Sequence, residues 1–326
     1  MTALNHSMPA TPSSLRPLDF SRDLAAVADL VESCFDQTLD PDGREYLQKM
    51  RHAARGGRYL HWASQAGVDM LGPLSGFVWE ENGKIVANLS LIPFPSWRSR
   101  TTLIANVAVD PDYRRRGIAR ALTNAALEHL HRHNAGSIWL HVRDDNPAAY
   151  DLYRTLGFEE RFRRTTWHNN TYDKAGSPPK ALLNVTITSR HPRHWQQQER
   201  WFGRTYPADL IWYFPINPHT LRPGMIGMLY RIFNDAPLRQ WSAQVDGQLA
   251  GVLTWQSSHG YSDYLWLCAD LQKEETAILA LLRYVVAHSA HRRTMALDYP
   301  FGQAQEAIMK AGFNIHHTLI WMQAKN

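Results

Sequence analysis

Cysteine is nearly missing from this chain: Cys34 and Cys268 are the two in 326 residues. Two thiols so far apart make no disulfide framework and no metal-ligand spacing, so neither a stapled secreted scaffold nor a structural metal site is expected. A cytoplasmic location fits that composition. Long apolar runs are missing too. No stretch approaches the roughly 18 apolar residues of a membrane span, and the first fourteen residues lack the continuous apolar core of a secretory leader. Residues 1–14, rich in Ser, Thr, Pro and Ala, are expected as a disordered lead-in. Charge of one sign is not in large excess. The 35 Lys and Arg face 30 Asp and Glu, and the net charge of +5 is spread over both halves. That excludes a strongly basic nucleic-acid module. Neither a nucleic acid nor a membrane is expected as a partner. What remains is an ordinary apolar content of 44% over a length that suits one large or two ordinary domains.

Against these absences one stretch is dense in signal. Residues 107–122 begin as an apolar strand, Val107-Ala108-Val109, and turn through Asp110-Pro111-Asp112. They then collect Arg114, Arg115 and Arg116 and enter a helix at Gly117. A strand, a turn with free backbone N–H groups and a helix N-terminus together make an anion site. The three arginines add positive charge to it. A pyrophosphate suits that combination.

The pattern Arg114-x-x-Gly117-x-Ala119 resembles the acetyl-coenzyme A signature of the GNAT acetyltransferases. The glycine allows close approach of the backbone to phosphates, and the small Ala119 keeps the first helical turn open. The resemblance implies that backbone amides of Arg115 to Arg120, with Ile118 between them, hold the pyrophosphate. It also implies that the strand Val107, Ala108 and Val109 holds the pantetheine arm and polarises the acetyl carbonyl.

The elements around this stretch agree with that family. A short strand over Leu15–Phe20 precedes a helix capped by Ser21 or Asp23 and a second helix over Gly43–Arg55. Asn82-Gly83 marks a hairpin between Ser75–Glu80 and Lys84–Ile92. Strands over 101–109, 137–143 and 158–168 alternate with helices over 117–133 and from Asp145 or Asn146 to Leu156, the last ended by Gly157. Residues 15–168 are therefore expected as a catalytic domain.

A polar segment over 169–189 is expected as a linker, and 190–326 echoes the first half. Asp246-Gly247 repeats the hairpin turn, Glu274–His288 the long helix, and Gly312-Phe313 the helix end at Gly157-Phe158. The fold class expected is α/β (α+β): two tandem GNAT-like domains, each a mixed, mostly antiparallel twisted sheet flanked by helices. Aligning Asp110 with Asp270 puts Glu274-Glu275-Thr276-Ala277 under Arg114-Arg115-Arg116-Gly117. The charge is inverted and the glycine is gone, so a pyrophosphate would be repelled there. The second domain is read as a degenerate copy with one cofactor site left in the chain.

Asn146 and Tyr153 lie seven residues apart, two helical turns, and so share a helix face. The family resemblance gives Asn146 to the pantetheine arm and makes Tyr153 the general acid for the departing thiolate. A phenol with an ordinary pKa of about 10 keeps its proton at neutral pH. The base is poorly marked: His141 on the neighbouring strand, Glu80 on the hairpin and a water chain are the candidates. The function expected is an acetyl-CoA-dependent N-acetyltransferase acting on a primary amine of a small molecule, with acetyl-CoA as co-substrate and no metal. A protein or peptide acceptor, at an N-terminus or lysine, and a non-catalytic acyl-CoA-sensing module are the alternatives.

Overall fold

The computed structural model describes residues 14–36, 39, 41–56, 75–95, 100–169, 184–233, 237–288 and 293–325. Residues 1–13 of the expected lead-in and 170–183 of the expected linker lie outside them. The chain divides into two compact units, one of Met1–Arg161 with Trp321–Asn326 and one of Phe162–Ile320.

In the first unit, β1 (Ser14–Pro17) leads to helix α1 (Phe20–Phe35). The cap is Asp19, whose side chain accepts from Ser21 N at 2.9 Å, rather than Ser21 or Asp23. Asp23 is claimed elsewhere. It is 1% exposed and paired with Arg16 at 2.6 Å, so it ties α1 to β1 instead of closing the helix end. Leu24, Val27, Ala28 and Val31 form the buried stripe of α1. They pack with Leu47 and Met50 of α2 (Pro41–Gly56) and with Val78 and Ala108 of the sheet.

β2 (Ser75–Glu81) and β3 (Lys84–Pro95) form the expected hairpin. Asn82 and Gly83 both have positive φ, 53° and 76°, as a two-residue turn of matching twist requires. β4 (Arg100–Val109) follows, then α3 (Ile118–Arg132), β5 (Ser137–Arg143) and α4 (Pro147–Thr155). The sheet order is β1-β2-β3-β4-β5. β3 and β4 are antiparallel, whereas β4 and β5 are parallel.

The second unit repeats this order. β6 (Phe158–Asn169) is followed by β7 (Val185–Ser189), α5 (Trp195–Thr205) and α6 (Gly224–Phe233). Then come the hairpin β8 (Leu238–Val245) and β9 (Gln248–Gln256), β10 (Ser262–Ala269), α7 (Glu274–His288), β11 (Thr294–Pro300) and α8 (Gln305–Lys310). Asp246 and Gly247 repeat the hairpin turn, with φ of 52° and 76°. The order is β6-β11-β10-β9-β8-β7, and β10 and β11 are the parallel pair. Leu265, Leu267, Ile278, Leu281, Leu297 and Phe313 belong to its core.

Two strands depart from the sequential order. β6 gives its residues from Phe162 onward to the second unit, where Arg164–Asn169 pair with β11. The last strand, β12 (Asn314–Ala324), returns its final residues to the first unit. There Lys325 N donates to Gly157 O at 3.1 Å, and the Trp321 ring lies 4.8 Å from that of His141. Alternation of side chains places a strand in a sheet but does not choose its neighbour. No helix among the described residues is long and apolar enough to cross a membrane.

Candidate active site

The site begins where β4 leaves β5. The two strands pair only over Thr101–Ile104 and Ser137–Leu140. Beyond Ile104, β4 carries a bulge: Ser90 of β3 faces Ala105 and Asn88 faces Ala108, so Asn106 and Val107 together oppose Leu89. Asn106 sits at φ 52°, a left-handed conformation that Asn tolerates better than most residues. The extra residue bends the strand. From there Val107, Ala108 and Val109 stay on β3 and have no partner in β5. This edge can take up an extended ligand through backbone hydrogen bonds.

The turn after β4 is held shut at its base. Asp110 accepts from Asp112 N at 3.1 Å and pairs with Lys84 at 2.7 Å, and the Lys84 ammonium holds its carboxyl below the usual range. Arg115 and Gly117 both have positive φ, 65° and 79°. Gly117 is the N-cap of α3 and offers no side-chain acceptor to the first turn. The first intrahelical bond comes from Ala121 N to Gly117 O, so the N–H groups of Ile118, Ala119 and Arg120 have no intrahelical acceptor. A Cβ on Gly117 would meet nothing within 4 Å. The glycine is required by its φ and keeps the space over these amides clear.

The arginines behave individually. Arg114 folds back along the chain and donates from Nε to Val109 O at 3.1 Å. Arg116 folds back over the Tyr113 ring at 4.8 Å and donates to Asp112 O at 3.1 Å. Arg120 bridges to Thr155 at the end of α4 through a 2.9 Å bond. Arg115 is exposed. All four arginines are exposed, and Arg114, Arg116 and Arg120 are held in place by hydrogen bonds.

Asn146 caps α4, accepting from Ala149 N at 3.1 Å. Tyr153 is 6% exposed, with its ring edge-on to Phe158 at 5.9 Å. Burial pushes its phenol up to about 12, so the proton stays on throughout the neutral range. The two base candidates differ in state. His141 lies against Trp321, and burial pushes its imidazole down to about 4. It is neutral at pH 7 but a weak proton acceptor. Glu80 is taken by two guanidiniums, Arg16 at 2.7 Å and Arg22 at 2.8 Å.

A pocket of about 540 Å³ opens on the α1 side of Asp110. Its acids are engaged as well: Asp23 by Arg16, Asp29 by Arg51 and Asp110 by Lys84. Among the described residues no group of three His, Cys, Asp or Glu could hold a metal ion. The feature that the sequence does not announce is the bulge with its partner Asn88, whose Nδ2 donates to Asn106 O at 3.0 Å. Its trace in the sequence is an offset of one residue: Asp110 lies six positions after Ile104, whereas Asp270 lies five after Leu265.

The second unit closes the equivalent opening with its own chain. β10 and β11 pair over Ser262–Leu265 and Thr294–Leu297, and β10 runs against β9 with no bulge. Past the last pair, the Tyr206 hydroxyl accepts from Leu267 N at 3.1 Å and donates to Asp298 O at 3.3 Å. Arg204 donates to Ala269 O beside it. At the next turn the Tyr299 hydroxyl donates to Glu274 at 2.7 Å, and Glu275 accepts from Ala307 N at 3.2 Å. The acids that stand where the first unit has arginines are thus tied to β11 and to the start of α8.

Residues 27–158 match the family model described as the acetyltransferase (GNAT) family. Over 66 residues the chain is 42% identical to a [ribosomal protein bS18]-alanine N-acetyltransferase of Escherichia coli strain K12, covering 20% of this chain and 45% of that one. The chain spans about half the length of the curated relatives it matches. A solved GCN5-related N-acetyltransferase from Sphaerobacter thermophilus aligns over 95% of both chains with a TM-score of 0.59 at 15% identity. A tandem GNAT protein from the clavulanic acid biosynthesis pathway aligns over 96% of this chain and 98% of that one, with a TM-score of 0.50 at 17% identity. At such identities the two structures bear on the fold alone.

Proposed function

Residues 27–158 carry a GNAT acetyltransferase domain, and from that premise we propose that the first unit is an acetyl-CoA-dependent N-acetyltransferase. It moves the acetyl group to a primary amine, in first place that of a small molecule, by direct attack in a ternary complex. The observation that carries this reading is the junction of two backbone sites. The edge Val107–Val109, which has left β5, leads through the turn at Asp110–Arg116 into the open first turn of α3 at Gly117. The edge suits the pantetheine amides. The turn suits the pyrophosphate, with each charge-assisted bond there contributing about 1.5–3 kcal/mol. Arg114, Arg115, Arg116 and Arg120 supply the surrounding positive charge, and Asn146 caps α4, whose other end is tied to Arg120 through Thr155.

The amine nitrogen attacks the thioester carbonyl carbon, and the C–S bond breaks. Amides of the β4 edge stabilise the oxyanion as it forms. Tyr153, protonated at neutral pH, gives its hydroxyl proton to the leaving sulfur. The proton lost by the amine passes to water, from which the Tyr153 phenolate regains its own, because Glu80 is held by two arginines and His141 has too low a proton affinity to compete. The test is free-thiol release from acetyl-CoA against a panel of small amines and short peptides. Release with small primary amines is expected. Tight acetyl-CoA binding with no release for any acceptor would contradict the reading and leave an acyl-CoA sensor.

A second reading, acetylation of a protein N-terminus, is favoured by the 42% identity to an alanine N-acetyltransferase. Peptides beginning with Ala would then release thiol while small amines did not.

A further inference from the structure

Asn88 is an odd residue for its place. It stands between Val78 and Ala108 across three strands, on the sheet face that α1 covers, and it is 0% exposed. Its Nδ2 donates to Asn106 O at 3.0 Å and to Ser90 Oγ at 3.2 Å. Its Oδ1 is buried with no hydrogen-bond partner among the described residues. The Asn106 carbonyl can only accept, which fixes Nδ2 toward it and leaves Oδ1 unsatisfied. A buried, half-satisfied amide lowers stability relative to an apolar residue of similar size. The second unit supplies that apolar residue. Counting from the hairpin glycines, Gly83 and Gly247, the position of Asn88 is that of Val252. Val252 is also buried and also faces the residue two before the turn aspartate, Cys268. The copy with Val252 has an unbroken ladder, and the copy with Asn88 has the bulge.

We propose that Asn88 is a positioning residue for the pantetheine arm: its amide holds the Asn106 carbonyl out of the β3–β4 ladder and so fixes the bulge that sets the offset of the β4 edge from Gly117. The inference rests on the acetyl-CoA reading of the first unit. With Asn106 in the left-handed region, the strand is kept there by the donor that its carbonyl finds in Asn88. Without that donor, β4 gains by sliding into an unbroken register like that of β10. The edge Val107–Val109 then shifts against Gly117, and the arm and the pyrophosphate no longer fit together. The nucleotide end, held by the turn, is insensitive to the change.

The test is calorimetric titration of the whole chain with acetyl-CoA and with 3′-phosphoadenosine 5′-diphosphate, which is coenzyme A without its pantetheine arm. The variants are Asn88→Val, the residue of the second unit, and Asn88→Leu, which keeps the shape and loses the donor. Asn88→Val is expected to melt no lower than the wild type and to bind acetyl-CoA at least about tenfold more weakly, the loss of one well-placed contact. Its affinity for the nucleotide stays within about twofold, inside the few tenths that distant sites share. Asn88→Leu is expected to show the same split, which answers the case in which the valine variant does not fold. Equal acetyl-CoA affinity in variant and wild type would overturn the proposal, and so would equal weakening of both ligands. A wild type that binds the nucleotide and not acetyl-CoA would overturn the acetyl-CoA reading itself, and Asn88's role with it.

Discussion

The two units are built to one plan and differ at three places along a single line. In the first unit that line is a bulge at Asn106, an edge over Val107–Val109 that has left β5 and is bonded by Arg114 at Val109 O, and an open turn at Gly117. In the second it is an unbroken ladder, an edge bonded by Tyr206 and Arg204, and a turn whose acids Glu274 and Glu275 are tied into the fold. The same architecture therefore either keeps a groove open for a ligand or fills it with its own side chains. Which of these happens is decided by a few residues and not by the topology. Tyr206 illustrates the cost of filling: burial pushes its phenol above the usual range, and its ring packs against Phe202, Phe214 and Trp266. In the first unit Arg114 bonds Val109 O as Arg204 bonds Ala269 O, and no aromatic hydroxyl among the described residues bonds Val107 as Tyr206 bonds Leu267.

The sharpest way to break the contrast is to give the first unit the second unit's charge. Gly117→Glu combines a strained φ with a carboxylate over the open amides, and acetyl-CoA affinity by calorimetry is expected to fall by about 100-fold or more. Unchanged affinity would remove the turn from the site. Next in size is Tyr153→Phe. Turnover is expected to drop by about 10²–10⁴-fold, the range of general acid catalysis, with acetyl-CoA affinity retained. Full activity would take Tyr153 out of the chemistry.

The second unit is tested by Tyr206→Ala. Removing a buried aromatic costs about 3–5 kcal/mol of stability in thermal or denaturant unfolding. No acetyl-CoA site is gained, because the turn still carries Glu274 and Glu275 where the first unit has arginines. A second binding event in that variant would show that Tyr206 alone closed it.

The smallest effect concerns pH. With its imidazole near 4 in the fold, against 6.5 when unfolded, His141 favours the folded state fully above pH 6.5. That contribution is lost as pH falls from 6.5 to about 4, and it amounts to about 3 kcal/mol at most. His141→Gln should flatten the stability profile in that window. An unchanged slope would place the acid sensitivity elsewhere.

What could be read from the chain alone followed from local chemistry. A glycine forced to positive φ, an Asx cap at Asn146 and Asn-Gly and Asp-Gly hairpin turns each leave a mark within a few residues. The repeat was legible for the same reason, since both copies carry those marks at matching distances. Asp19 shows the limit even at short range. Three capping residues stood within five positions, and the choice was made by Arg16, which takes Asp23 from a neighbouring strand. The bulge was beyond reach because it is a relation between β3 and β4 and not a property of either. Nothing in the alternation of Leu103–Val109 marks it, and Asn88 looks like an ordinary polar residue until its partner carbonyl is seen. The destination of β6 was hidden in the same way, since its pattern fits any antiparallel neighbour.

The central claim is that the chain holds two frameworks and one cofactor site. It is tested most directly by the stoichiometry of acetyl-CoA binding to the whole chain, measured by calorimetry at saturating ligand. One acetyl-CoA per chain, lost entirely in Gly117→Glu, is the predicted result. Two per chain, or one that survives Gly117→Glu, would contradict it.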